Sequence, residues 1–230
     1  MTTTTPATGD ERWLAENWPF VRDHLPTPPA RVLEIGCGPL GGFVPALHAA
    51  GYTAVGVDPH APEAPGFHRE PFEDHGADGP VDVITACTSL HHVDRLDTVV
   101  DRIHATLRPG GTLIVLEWAW ERFDEPTARW CFAHLPSEPV EPGWLQRHHD
   151  RWQAAGTGWD TYLRGFATDE GLHTGDAITG FLTSLFATKQ LTCTPYFSAG
   201  LDATSADEQT AIDAGTIQAT GIRYVGRRAS

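Results

Sequence analysis

The sequence predicts a doubly wound α/β fold, and three observations predict it. Near-continuous apolar segments, VLEI (Val32 to Ile35), TAVGVD (Thr53 to Asp58), VDVITAC (Val81 to Cys87) and TLIVLEW (Thr112 to Trp118), alternate with stretches of helical periodicity. The first of them runs into a glycine-rich turn, and the last is launched by Pro109, Gly110 and Gly111. Strands buried on both faces read as unbroken apolar runs, because every crossover must pack back over the sheet. At 230 residues with 40% hydrophobic content the chain can bury one sizeable core, so a single domain over 10–230 is expected.

The elements follow in order. Residues 1–9 are Thr-rich and polar and read as a flexible tail. From Asp10, the residues Trp13, Leu14, Trp18, Val21 and Leu25 recur at helical spacing until Pro26, Pro28 and Pro29 stop them. Phe43, Val44 and Leu47 keep helical phase up to Gly51, and a third strand is weakly marked around Phe67 to Glu70. Leu96, Val99, Val100, Ile103 and Leu107 share one helical face. After Glu117 the texture changes, with six of the eight tryptophans (Trp118, Trp120, Trp130, Trp144, Trp152, Trp159) in a Gly-, Pro- and His-rich stretch. An aromatic-rich helical insertion over 118–165, covering the sheet, is expected. Ile178, Phe181, Leu182, Leu185 and Phe186 then form a helical face, and LTCTPYF (Leu191 to Phe197) a strand. Ser205 and Glu208 have capping-box spacing for a further helix, and GIRYVGR (Gly221 to Arg227) closes the chain as a strand.

Charge narrows the partners. Sixteen basic against 30 acidic residues give −14 at pH 7, a field that repels phosphate backbones and anionic lipid, so neither nucleic acid nor membrane is an expected partner. Cys37, Cys87, Cys131 and Cys193 form no CxxC pair and read as free thiols. With no signal-peptide pattern at the start and no long apolar window, a cytoplasmic location is expected. A homo-oligomer is left open.

LEIGCGPLGG is the most informative stretch. Gly36, Gly38 and Gly41 satisfy GxGxxG directly after a strand, and Asp58 ends the next strand 20 residues beyond Gly38. Such glycines let the backbone approach a ligand, and a carboxylate in that position accepts ribose hydroxyls, which points to a nucleoside-containing cofactor. Glu34, two residues before the first glycine, would repel a pyrophosphate and attract an ammonium, directly or through water. That polarity suits a zwitterionic amino-acid nucleoside.

Taken with VDVITACTSLHHV and LRPGGTLIV, the ExGCG run at Glu34 to Gly38 and the acid Asp58 resemble the class I S-adenosylmethionine-dependent methyltransferases over roughly residues 31–117. The resemblance implies a Rossmann-like seven-stranded sheet with an antiparallel last strand, and S-adenosyl-L-methionine as cofactor. It implies that Glu34, Gly36 and Gly38, with Cys37 between the glycines, hold the methionine moiety. It implies that Asp58, followed by Pro59, takes the ribose hydroxyls. The Phe72–Glu73 turn would flank adenine, with Glu70 and Asp74 as alternative acids, and the carbonyl near Ala86 or Cys87 would meet the ammonium.

Methyl transfer from a sulfonium needs alignment and exclusion of water, and a base where the acceptor is a hydroxyl or weakly acidic carbon. His91 and His92 follow the fourth strand at the edge where such sheets bind ligands, and Glu117 ends the fifth there. These three are the candidate catalytic residues. The alternative is that His92 caps the following helix or bonds backbone while His91 stands exposed, and that Glu117 only orients an arginine. Trp144, His148 and Trp152 fall on one helical face, where packing is the plainer reading, and no metal is expected. The acceptor read from the aromatic cover and the acidic surface is a small neutral or cationic organic molecule, methylated on O, N or C. The rival readings are a nicotinamide-dependent oxidoreductase and a methyltransferase-like protein that binds without turnover.

Overall fold

The computed structural model describes residues 8–76, 79–137 and 142–229. Most of the expected tail lies outside them. Helix α1 (Gly9–Asp23) opens one residue ahead of the expected Asp10, because Thr8 and Glu11 form a reciprocal capping box. There follow β1 (Arg31–Ile35), α2 (Val44–Ala49), β2 (Thr53–Val57), β3 (Phe67–His68), β4 (Val81–Cys87), α3 (Leu96–Thr106) and β5 (Leu107–Trp118). The second half holds α4 (Glu125–Ala133), α5 (Trp144–Ala155), α6 (Trp159–Asp169), α7 (Gly175–Leu185), β6 (Ala187–Thr194), α8 (Ser205–Asp213) and β7 (Gly221–Arg227).

The strands form one seven-stranded sheet in the order β3-β2-β1-β4-β5-β7-β6, with β7 antiparallel to both its neighbours. Its parallel register sets Ile35 beside Val57 and Ala86, and Ala86 beside Val115, so the loops after β1, β2, β4 and β5 emerge together at one edge. That edge holds the candidate site.

Side-chain alternation sends Leu33, Ile35, Ile84, Leu113 and Val115 to one face, against Val99, Val100 and Ile103 of α3 and Ile178 and Leu182 of α7. Val32, Val83, Ile114 and Leu116 pack on the other face against Val21 of α1 and Val44 and Leu47 of α2. A third cluster joins Trp118, Phe123, Trp152, Trp159 and Leu163 with Phe197, so the helical cover is fastened to the sheet through the end of β5.

Several elements depart from the sequence reading. Pro109, Gly110 and Gly111 do not precede β5 but lie within it: Leu107 already pairs with Val81, and the register slips before Val83 meets Thr112. Gly110, in the left-handed region, takes up the irregularity. The LTCTPYF strand stops at Thr194, and Phe181 is exposed rather than part of the buried face of α7. The capping box of α8 uses Thr204 and Asp207, one position ahead of the expected Ser205 and Glu208. Glu208 is buried instead, and its carboxylate accepts the backbone N–H groups of Tyr196, Phe197 and Ser198 at 2.8–3.3 Å. None of the described helices is long and apolar enough to cross a membrane. The four cysteines are free, and Cys193 is the exposed one.

Removing the Glu208 carboxylate leaves three backbone donors unpaired in a buried loop. Glu208→Ala is expected to destabilise the fold by about 2–4 kcal/mol in urea titration. A loss below about 0.5 kcal/mol would show that aromatic packing alone holds this loop.

Candidate active site

Gly36, at the exit of β1, adopts φ +78°, and its N–H donates to the Val57 carbonyl at 2.9 Å. A Cβ on Gly36 would fall 2.3 Å from the Ser89 Cβ and 2.9 Å from the Cys87 carbonyl oxygen, so the loops after β1 and β4 touch only because this residue is glycine. Gly38, at φ +59°, has nothing within 4 Å of its missing side chain, and its N–H donates to Asp58 Oδ2 at 3.1 Å. The other Asp58 oxygen accepts the His60 N–H at 2.6 Å. Asp58 therefore ties the two loops together beside the open flank of the glycine turn. Pro59 is exposed in the turn that follows. Cys37 is buried against Gly56, and burial, with the charges of Glu34 and Asp58 adding to it, pushes its thiol up to about 12. It stays protonated.

Glu34 lies on the α2 side of the sheet, fully buried, with both carboxylate oxygens accepting the Phe43 N–H at 2.8 and 3.1 Å. It thus pins the far end of the glycine loop to β1. Burial raises its pKa from 4.5 to about 8, and the N–H donors of Phe43 and Val44 offset only part of that.

The Phe72–Glu73 turn is present, but the Phe72 ring is buried in the core beneath the Arg102 guanidinium, 5.5 Å from its centroid. The half-buried Glu73 and the backbone are what the turn offers to a ligand. Ala86 and Cys87 are both buried, and burial holds the Cys87 thiol far above its ordinary range, with Glu34 and Glu117 adding to it. Thr88, next in line, has φ +47°, an unusual conformation for a β-branched residue, and its N–H donates to the Leu116 carbonyl.

Glu117 is 1% exposed. Its Oε1 accepts the N–H groups of Ser89 and Leu90, at 2.8 and 2.6 Å, and its Oε2 accepts the Trp118 N–H and His91 Nδ1–H, at 2.9 and 2.6 Å. Burial acts to raise its pKa, yet His91 and the backbone donors outweigh that and hold it below the ordinary value. The expected alternative for the two histidines is inverted: His91 is buried on Glu117, whereas His92 is exposed and no side chain caps α3. Loss of solvation on its inner side, with His91 beside it, lowers the His92 pKa. Glu117 orients this histidine, not an arginine. His173 braces the same turn, its N–H donating to the His91 carbonyl and its Nε2 to that of Val93.

Trp118 links this turn to the cover. Its ring meets His91 edge-on at 6.0 Å, stacks with Tyr196 at 6.3 Å, and packs on Trp144 and Phe197. At 4% exposure its indole N–H has no hydrogen-bond partner among the described residues. On α5, Trp144, His148 and Trp152 share a buried face as expected, with His148 hydrogen-bonded to the Tyr162 hydroxyl and its pKa lowered to about 4, chiefly by burial.

Residues 11–162 match the family model described as a methyltransferase domain, about two-thirds of the chain. The chain belongs to the methyltransferase-domain family. Among solved structures, this methyltransferase is similar to an S-adenosylmethionine-dependent methyltransferase from Mesorhizobium loti (17% identity, 92% of this chain and 97% of that one, TM-score 0.56). It is also similar to the N-methyltransferase NodS from Bradyrhizobium japonicum bound to S-adenosyl-L-homocysteine (15%, 97% and 89%, 0.54). A third is the Burkholderia thailandensis 1,6-didemethyltoxoflavin-N1-methyltransferase, with 1,6-didemethyltoxoflavin and S-adenosylhomocysteine bound (17%, 96% and 79%, 0.52). These likenesses share the fold of S-adenosylmethionine-dependent methyltransferases, the one the sequence resemblance implied. No curated protein sequence matches the chain.

The methyltransferase's edge also contains residues that sequence reasoning did not place at the site. Ser89 closes on Gly36, Tyr196 stacks on Trp118, and Glu208 holds the Tyr196 loop. Ser89 carried a local signal inside the SLHHV run, whereas the capping spacing of Glu208 pointed to another role.

A raised Glu34 pKa has a defined sign. Between 4.5 and about 8 the folded chain keeps a proton that the unfolded chain has released, so this contribution is full below 4.5 and is lost as pH rises through 8. The thermal midpoint of the native chain relative to Glu34→Gln is expected to decline across that window. A difference independent of pH would mean that Glu34 is ionised throughout.

Proposed function

We propose that the protein transfers a methyl group from S-adenosylmethionine to an O, N or C atom of a small organic acceptor. The observation that carries this reading is the open left-handed Gly38, its N–H held by Asp58 at the mouth of the sheet. A side chain at Gly38 would fill that flank, and Glu34, buried on the Phe43 N–H with its pKa raised to about 8, braces the glycine turn from behind. Gly38 and Asp58 fit a nucleoside cofactor, and the match to a methyltransferase-domain model counts against the oxidoreductase reading.

When bound, S-adenosylmethionine supplies an electrophilic methyl group on a cationic sulfur. Gly36, Gly38 and the carbonyl edge of Ala86 and Cys87 would hold its amino-acid end, Asp58 its ribose, and the Glu73 turn its base. His91 donates its Nδ1 proton to Glu117, which leaves Nε2 as the nitrogen able to take a proton from an acceptor. Glu117 keeps that tautomer and supports an imidazolium, a positioning role. The acceptor would lie beside His91 and against the aromatic group of Trp118, Tyr196, Trp144 and Phe197, with the unpartnered Trp118 N–H donating to one of its oxygen or nitrogen atoms. The acidic surface supports a neutral or cationic acceptor.

Asp58→Ala is expected to weaken S-adenosylhomocysteine binding, read by calorimetry, by about 1–3 kcal/mol, roughly 5–150-fold. Undiminished affinity would remove Asp58 from the site. His91→Asn, whose amide can still donate to Glu117, is expected to slow methyl transfer to a phenol or amine acceptor by ~10²–10⁴-fold with S-adenosylhomocysteine affinity retained. An unchanged rate would exclude His91 as the base. A native chain that binds this ligand yet turns over nothing in a broad acceptor panel would favour the non-catalytic reading.

A further inference from the structure

Beyond the proposed acceptor region, the connection leaving β3 brings together three side chains to which the proposed activity assigns no role. His68 ends β3, Glu70 lies two residues on, and His75 follows the Phe72–Glu73 turn. One ring nitrogen from each histidine and one Glu70 oxygen all lie within 4.8 Å of one another. His75 is 6% exposed, its Nδ1 sits 2.8 Å from Glu70 Oε1, and its ring meets that of His68 edge-on at 4.7 Å. We propose that His68, Glu70 and His75 form a binding site for a divalent metal ion of the zinc type, which staples the two ends of the Phe72–Glu73 turn.

The chemistry of the donor set supports zinc over calcium or magnesium, which prefer all-oxygen shells. Two imidazoles and a carboxylate are a familiar zinc triad, with bonds near 2.0–2.2 Å that place tetrahedral donors about 3.4 Å apart. Side-chain rotations of an ångström or so bring the three atoms from their present separations to that spacing. The triad leaves a fourth position for water. The surrounding charge is permissive: Arg69 is paired with Glu63, and the chain as a whole is anionic. The Arg102 guanidinium donates to the His75 carbonyl and covers Phe72, so it fixes the backbone of the turn and not the ligand atoms. Because β3 is only two residues long, this segment has little sheet pairing of its own, and a metal clip would add the constraint that pairing lacks. The site was not anticipated from the sequence, which led to an expectation of no metal. The inference does not rest on the methyl-transfer reading, although the turn it staples is the one proposed to flank the cofactor's base.

The test is titration of the tag-free, metal-stripped chain with zinc chloride, followed by calorimetry and thermal unfolding. One zinc per chain with micromolar or tighter affinity is expected, together with a rise in the unfolding midpoint. His68→Ala, at an exposed position, and Glu70→Gln should each weaken binding at least 30-fold and abolish that rise while leaving the metal-free midpoint near that of the native chain. Cobalt(II) substitution gives a second readout, visible absorption bands of a tetrahedral site that are lost in His68→Ala. Absence of saturable binding below millimolar zinc would overturn the proposal. Equal affinity in both variants would do so too, since the ion would then be held by other histidines.

Discussion

Buried and half-buried carboxylates that accept backbone N–H groups hold the candidate edge of the sheet together. Glu34 takes the Phe43 N–H and closes the glycine loop; Asp58 takes Gly38 and His60; Glu117 takes Ser89, Leu90 and Trp118; Glu208 takes Tyr196, Phe197 and Ser198. Glu121 does the same for Gly175 and Asp176 at the start of α7. Loops at this edge cannot satisfy their donors through strand pairing, because they must diverge to make a crevice. A carboxylate supplies two oxygens, each able to take more than one donor, at the point of divergence.

Burial and the kind of donor, more than the number of donors, decide the charge state. Glu34 is fully buried with one close N–H on its two oxygens, and its pKa climbs to about 8. Glu208 has three backbone donors and is still raised, burial being the larger effect and Glu16 adding to it. Glu117 alone also has an imidazole, and its pKa falls. Neutral backbone donors only partly offset the cost of burying a carboxylate, and an adjacent group that can carry positive charge tips the balance. The carboxylate proposed to support catalysis is thus the one held ionised.

Trp118 transmits this order to the cover. The residue before it anchors the β4 loop, and its own ring packs into the aromatic cluster formed by the helices after β5 and the loop after β6. Because Glu208 fixes that last loop, the position of Tyr196 over Trp118 depends on α8, far from the edge in sequence. The proposed acceptor wall is assembled from three separate stretches of chain, which rigid aromatic packing keeps in one arrangement.

From its residues alone the chain determined most of the strands, the glycine turn and the Asp58 position, because these rest on local periodicity and on short fixed spacings, whereas the antiparallel finish was implied by the family resemblance. VDVITAC and GIRYVGR became β4 and β7 residue for residue. Tertiary structure decided which polar groups found each other. His91 and Glu117 are 26 positions apart, and only the β4–β5 pairing made one bury on the other. Glu208 has the spacing of a capping residue, yet the larger stabilisation of three buried N–H donors drew it inward and left Thr204 and Asp207 to cap α8. Phe72 turned its ring to the core for the same reason of burial, and the convergence of His68, Glu70 and His75 depends on the shape of a turn that no periodicity encodes. Hydrophobic pattern is a one-dimensional property, whereas satisfaction of a buried polar group depends on whichever partner the fold brings within 3 Å.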